Sequence, residues 1–212
     1  MKKIILLSAC FIFGLSNAQE AKNTQENAVK ISAKLGLNVS SISGDATNVE
    51  SAVSIHGGLV VEIPIDEKFS IQPELLFSIQ GAKSDGVMEI EGDLYNVDER
   101  LILSYINVPV MVKYYITPKF GVHAGPQFGF LVSAKDKIEF NDGAGVAGDE
   151  TVDVKDSFKT IDASFGLGLS YDFTEKIFAE TRFNIGLSNI SDVETVDLQN
   201  NVFQISVGYR FN

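Results

Sequence analysis

Between Val29 and Ser40 apolar and polar residues alternate without a fault, with Val29, Ile31, Ala33, Leu35, Leu37 and Val39 on one face and Lys30, Ser32, Lys34, Gly36, Asn38 and Ser40 on the other. A period of two is the signature of a strand whose two faces meet different surroundings. The same period recurs near 54–65, 69–82, 101–116, 120–133, 160–173, 177–188 and 201–212, which predicts eight strands and leaves no segment with helical periodicity. The connections follow a rule. Three are short and alike, Asp66-Glu67-Lys68, Thr117-Pro118-Lys119 and Thr174-Glu175-Lys176, each between apolar strand ends as in a tight hairpin. The others, at 41–53, 83–100, 134–159 and 189–200, are long and polar. Short and long alternate strictly, so the tight turns and both termini share one end. This is the layout of an eight-stranded antiparallel up-and-down transmembrane β-barrel with short periplasmic turns and long extracellular loops. Strands of about 11 to 14 residues suit a tilted crossing.

A water-soluble barrel shows the same alternation, and the aromatic positions decide between the two. On the apolar face Phe69, Tyr114, Phe120, Tyr171, Phe173, Tyr209 and Phe211 fall within a few residues of a short turn or the C-terminus. A second set, Phe77, Phe128, Phe165 and Phe203, lies further along the same strands. With the usual strand rise and tilt the two levels are roughly 23 Å apart, the height of an outer-membrane hydrocarbon band between aromatic girdles.

The opposite face is crowded with glycine, including Gly36, Gly125, Gly129, Gly166, Gly168 and Gly208. An eight-stranded barrel is just wide enough for its own side chains, so a plugged lumen is expected. Lys34, Glu62, Glu74, Lys113, Glu180 and Arg182 share that face at similar depth and predict a lumenal ion-pair network, with Lys34 near Glu62 and Glu74 near Lys113. Unpaired charges there would cost too much. Pro73, Pro109 and Pro126 fall inside these strands, where a closed barrel has no edge to host them, and local bulges are the expected remedy, with shifted strand boundaries as the alternative.

Composition removes whole classes of function. Apolar residues make up 45% of the 212-residue chain and charged ones 21%, too apolar for disorder, and the length suits one domain. A net charge of -11 argues against nucleic acid as a partner. The negative charge is local: the four long connections carry -2, -4, -3 and -3, so the remainder is close to neutral. An acidic outer end repels lipopolysaccharide phosphates unless divalent cations bridge them, so association at the outer surface is expected to depend on Ca²⁺ or Mg²⁺. Met1, Lys2 and Lys3 followed by an apolar run from Ile4 to Leu15 read as a signal peptide over 1–18, cut between Ala18 and Gln19. Leu7-Ser8-Ala9-Cys10 has the look of a lipobox, but the apolar run continues past the cysteine. Residues 19–28 then form a periplasmic segment before a barrel over 29–212, and the mature chain lacks cysteine, as suits an oxidising compartment. No later apolar run reaches the roughly 18 residues of a membrane helix.

Catalytic and cofactor chemistry finds little support. GAGVAG at 143–148 matches a dinucleotide pattern, but acidic Asp142, Asp149 and Glu150 surround it and no strand-to-helix context exists. His56 and His123 lie on the lumenal face near opposite ends of their strands, so they cannot share one site. The one hydrolase arrangement available, His56 with Asp45 or Glu50 at the outer rim, is outweighed by a hydrogen-bonded lumenal histidine. Acidic clusters at Glu89, Glu91 and Asp93 and at Asp149, Glu150 and Asp153 lack EF-hand spacing and read as solvated carboxylates. No catalytic residue, metal or cofactor is assigned.

QPELLFSIQGAK at 72–83, YINVPVMVKYY at 105–115, GVHAGPQFGFL at 121–131, GLGLSYDF at 166–173, RFNIGLSNI at 182–190 and GYRF at 208–211 together resemble the PorT-like outer-membrane β-barrel family over nearly the whole mature chain. The resemblance implies an integral protein of the cell outer membrane, structural or binding in role, with a porin-like channel or an association with type IX secretion as alternatives. It also implies lipid and lipopolysaccharide as surroundings. The last strand resembles the signal read by the barrel-assembly machinery, with Gln204, Tyr209 and Phe211 in polar, aromatic and aromatic positions. It departs from that signal at Ser206 and Asn212.

Overall fold

In the computed structural model, which describes residues 28–47, 49–90, 93–141 and 146–212, the first residue of each short connection caps its own turn. Asp66 Oδ1 accepts from the backbone N–H of Lys68 and Phe69 at 2.8 Å each. Thr117 Oγ1 accepts from Phe120 N–H at 3.1 Å and Thr174 Oγ1 from Ile177 N–H at 2.9 Å. Asp and Thr are interchangeable in the repeat because either oxygen satisfies the amides that a tight reversal leaves free.

The strands are β1 (Lys30–Gly44), β2 (Glu50–Pro64), β3 (Phe69–Ile90), β4 (Asp93–Tyr115), β5 (Phe120–Asn141), β6 (Val146–Asp153), β7 (Ile161–Asp172), β8 (Ile177–Gly186) and β9 (Leu198–Arg210), and the tight turns join β2 to β3, β4 to β5 and β7 to β8. All pairings are antiparallel, and the β1–β9 and β4–β5 ladders close a ring of eight strands in the order β1-β2-β3-β4-β5-β7-β8-β9. β6 stands outside the ring and pairs with the far end of β5. Among the described residues no helix is long and apolar enough to cross a membrane, and the crossing is made by strands.

The wall has its polarity inverted relative to a protein in water. Leu35, Leu59, Leu75, Ile205 and Val207 are all more than half exposed, while Lys34, Glu74, Gln72, Lys113, Glu180 and Arg182 are buried. Hydrocarbon is the solvent that makes such a surface stable. At the seam Asn212, a departure from the assembly signal, accepts from Ile31 N–H at 2.8 Å and donates to Val29 O at 2.9 Å. Its side chain thus completes the β1 edge after β9 has ended.

Three expectations need correction. The connections at 83–100 and 134–159 are largely strand: β3 and β4 run on to Ile90 and from Asp93, and the far half of β5 pairs with β6. Alternation was broken there by adjacent charges such as Asp98, Glu99 and Arg100. The strand prolines need no bulges. Pro73 and Pro109 keep the register of their neighbours, Pro126 pairs with Phe165, and the irregularities fall instead at 51–56, 104–105 and 140–141. Asp149, Glu150 and Asp153 lie along β6, where Glu150 points to the face opposite the other two, so they do not converge as a loop cluster. Ala18, Gln19, Glu91 and residues 142–145 lie outside the described residues, and 146–148, the end of the glycine pattern, open β6 instead of a helix.

Candidate functional site

The barrel interior gathers the chemistry. Inward positions on each strand recur every second residue, so one parity of each strand supplies it. At the level of the short turns Glu62 is the hub: Tyr115 donates to it at 2.6 Å, Lys30 lies at 3.4 Å and Lys113 at 3.5 Å. Beside it Arg210 pairs with Asp172 at 2.7 Å and stacks 4.8 Å from the Phe178 ring centre. A cavity of about 720 Å³ opens below this level, lined by Lys30, Glu62, Asp66, Ser70, Tyr115 and Asp172 among others.

Higher up, Arg182 on β8 clasps Glu74 on β3 with two contacts, 2.9 Å from Nη1 and 2.6 Å from Nη2. Around the ring β3 and β8 are four strands apart in either direction, so this pair spans the full diameter. Lys34 Nζ bridges Glu74 at 2.8 Å and Glu180 at 2.9 Å, and Gln72 donates to the same two carboxylates at 2.7 and 3.0 Å. Two cations meet two carboxylates, all with side chains at most 2% exposed. A bidentate guanidinium is the geometry in which a buried pair recovers most of its desolvation cost.

The expected partners were therefore misassigned. Lys34 pairs with Glu74 and Glu180 and not with Glu62, because Lys30 is the β1 residue in register with Glu62. Lys113 pairs with Glu62 and not with Glu74, because it sits across from Ser70, four residues short of Glu74. Counting from the turns ignored the stagger that closure imposes on tilted strands.

The two histidines occupy separate bonding sets. His56 Nδ1 lies 2.7 Å from Asn38 Oδ1 and its Nε2 lies 2.8 Å from Ser206 Oγ. His123 Nε2 accepts from Arg182 Nε at 3.3 Å. Asp45 is engaged instead with the backbone of Asp197, and Glu50 with Lys83. Ser206, the other departure from the assembly signal, is thus a partner for His56. Gly168 is fixed by close approach, since a Cβ there would stand 2.3 Å from His123 Nε2. Gln204 points inward, donating to Asn38 and accepting from Asn184. Sequence reasoning passed over Gln72, Tyr115, Asp172 and Arg210, although inward parity marks Gln72 beside Glu74 and Arg210 beside Gly208.

Above these polar levels Ile42, Ala82, Leu103, Leu131, Ala134 and Ile190 form a buried apolar cluster with Tyr105. On the outside, Phe69, Tyr171, Phe173, Tyr209 and Phe211 are exposed, with Tyr114 and Phe120 half-buried, and Phe69 stacks on Tyr114 at 4.9 Å. Phe77, Phe128, Phe165 and Phe203 also face outward, joined by Phe183 directly across from Phe203. Among the described residues no three His, Cys, Asp or Glu side chains converge to hold a metal ion.

A closed ring of antiparallel strands, apolar outside and polar inside, defines an outer-membrane β-barrel protein. The model of the outer membrane protein beta-barrel domain matches residues 17–192. The chain belongs to that family, and its place is the outer membrane. Among solved structures, Neisserial surface protein A is similar at 10% identity, covering 87% of this chain and 99% of that one with a TM-score of 0.50. Ail, the attachment invasion locus protein of Yersinia pestis, aligns at 14% identity over 88% of this chain and 100% of its own, with a TM-score of 0.49. OprG from Pseudomonas aeruginosa aligns at 13% identity over 88% and 98%, with a TM-score of 0.41. At 10% identity the likeness to Neisserial surface protein A is one of fold alone. A comparison with curated protein sequences finds no match.

Proposed function

We propose that the chain is a non-enzymatic outer-membrane barrel with a plugged lumen, a rigid wall that carries an acidic β-sheet on the extracellular side. The observation that supports it is the Arg182–Glu74 clasp across the full diameter, tied on both sides to Lys34, Glu180 and Gln72. A permeating ion would have to break a neutral, fully bonded quartet and then pass the apolar cluster at Leu103 and Leu131. In this reading Phe69, Tyr114, Phe120, Tyr171, Phe173, Tyr209 and Phe211 form the periplasmic girdle, and Gln204, Tyr209 and Phe211 address the barrel-assembly machinery. Lipopolysaccharide surrounds the outer rim through divalent cations, and the signal peptide that directs export is cut between Ala18 and Gln19. A narrower kinship with PorT-like barrels rests on the strand motifs alone.

Planar-bilayer recording on the mature protein tests the plug. The expected result is no stable conductance step from the parent, and flickering conductance from an Arg182→Ala, Glu74→Ala double variant, which shows that the parent's silence is not failed insertion. A stable open conductance from the parent would replace the plugged scaffold with a small porin-like channel.

A further inference from the structure

β6 ends the sheet. Among the described residues it pairs with β5 on one side and with no strand on the other. From Asp149 to Asp153 every residue is exposed, Val152 at 41%. Such an edge presents a row of backbone donors and acceptors to whatever extended chain approaches it.

The side chains around the edge are ordered by register. Asp85 on β3 stands across from Asp98 on β4, Asp98 from Glu139 on β5, and Glu139 from Asp149 on β6. Four carboxylates therefore form one cross-strand row, and like charges directly opposite one another are unfavourable in a sheet. The parallel row two residues nearer the membrane is Lys83, Arg100, Lys137 and Thr151, which is basic until it reaches β6 and then stops. Lys137 leans on Glu139 and Lys83 on Glu50. The inner strands of the sheet thus hold compensating cations, whereas β6 carries Asp149, Glu150 and Asp153 with no basic residue of its own, and of the three only Asp153 stands across from a cation, Lys135 on β5. The excess of negative charge thus lies on the edge strand.

We infer that β6 is a docking edge for an extended basic peptide segment of another protein, which adds as a fifth strand to the sheet β3-β4-β5-β6. Backbone hydrogen bonds supply the attachment, and Lys or Arg at alternate positions, facing Asp149 and Asp153, supplies the selection. A second copy of this chain is disfavoured as occupant, because pairing β6 with itself sets the same three carboxylates against each other. The inference rests on the outer sheet being extracellular.

Fluorescence anisotropy on the detergent-purified mature protein provides the test. The probe is a labelled peptide as long as β6 that alternates lysine with threonine and valine. It is expected to bind, to weaken about tenfold or more when alternate backbone amides are N-methylated, and to weaken as salt rises. The same peptide with glutamate for lysine is expected not to bind, and an Asp149→Lys, Asp153→Lys variant should reverse that preference. No binding of the basic peptide would show that the charges merely blunt an edge. Equal binding of the N-methylated peptide would reduce the effect to surface adsorption, and dimers on light scattering would make a second copy the occupant; each overturns the inference. Orientation is checked separately by labelling Thr151→Cys in intact cells with a membrane-impermeant maleimide. Failure of labelling defeats the extracellular reading, while failure of peptide binding alone defeats only the docking edge.

Discussion

Below Gly81, strand β3 turns Gln72, Glu74, Ser78 and Gln80 inward and Ile71, Leu75 and Phe77 outward. Above it the same strand turns Ala82 inward, against Leu103 and Ala134, and shows Lys83 and Asp85 to the outside. The two sections share strands and differ in solvent: hydrocarbon surrounds the first and water the second, so what must be hidden is opposite. Two of the three irregularities of register fall at the boundary, at 51–56 between β2 and β3 and at 104–105 between β4 and β5. β5 turns over there, with Gly129 and Leu131 buried below and Ala134 buried above. Gly81 marks the same level with φ +139 and a backbone N–H donated to Ser40 Oγ at 3.0 Å. A barrel can change from membrane wall to water-soluble sheet within one strand, and a bulge is the device that re-aims its side chains.

The contrast breaks most sharply where charge is removed. Glu74→Gln leaves Arg182 and Lys34 facing one carboxylate, Glu180, instead of two in the buried interior. Loss of one partner in a buried pair costs about 3 to 5 kcal/mol. Lys83→Ala removes one half of the Lys83–Glu50 contact, whose side chains are 43% and 61% exposed, and a solvent-screened pair of this kind adds little to stability. Urea unfolding in detergent, followed by the loss of heat-modifiable gel mobility, should place the first variant far below the parent and the second beside it. Equal losses would show that the lumen is hydrated enough to screen its charges.

The same contrast explains what the sequence revealed. In the membrane wall each face sees one environment from turn to rim, so alternation from Val29 to Ser40 or from Phe69 to Gln80 is legible by eye, and all three tight turns could be placed. Beyond the rim the outer face is water and the inner face a small apolar cluster. Asp98, Glu99 and Arg100 in succession hide the period, and the strand extensions read as loops. Within the lumen, residue type and parity identified the charged set, but partner choice depends on stagger between strands, which local sequence does not encode. Lys34 reaching Glu74 and Glu180 instead of Glu62 is that missing information.

Replacing side chains on the two outer surfaces probes solvent directly. Leu37 is 55% exposed, stands across from Ile205, and lies between the Phe203 and Tyr209 levels. Leu37→Arg should cost about 2 to 4 kcal/mol, the depth-dependent penalty for a cation on the lipid face near the midplane. Asn96→Arg, on the exposed face of β4 beyond the rim, should stay within about 0.5 kcal/mol of the parent. Folding yield into lipid vesicles measures both. A neutral Leu37→Arg would mean that this face does not meet hydrocarbon.

The gentlest separation is by pH. Glu99 lies in the outer section, and its carboxyl is raised above the usual range first by desolvation and then by the Asp136 carboxylate beside it. A raised carboxyl binds its proton more tightly in the folded sheet than in the unfolded chain, so this group favours the folded sheet at acid pH. That advantage is lost as pH rises through the raised value. Hydrogen exchange, corrected for its intrinsic pH dependence, should therefore show the outer halves of β4 and β5 opening more readily at neutral pH than near the carboxylate range. Glu99→Gln should remove that difference by holding the neutral state at every pH. Strands β1 and β9 inside the wall should show no matching change in the variant, because β1 and β9 pair with β2, β8 and each other and not with β4 or β5. Were the variant to keep the pH dependence, the Glu99–Asp136 repulsion would not be what loosens the sheet.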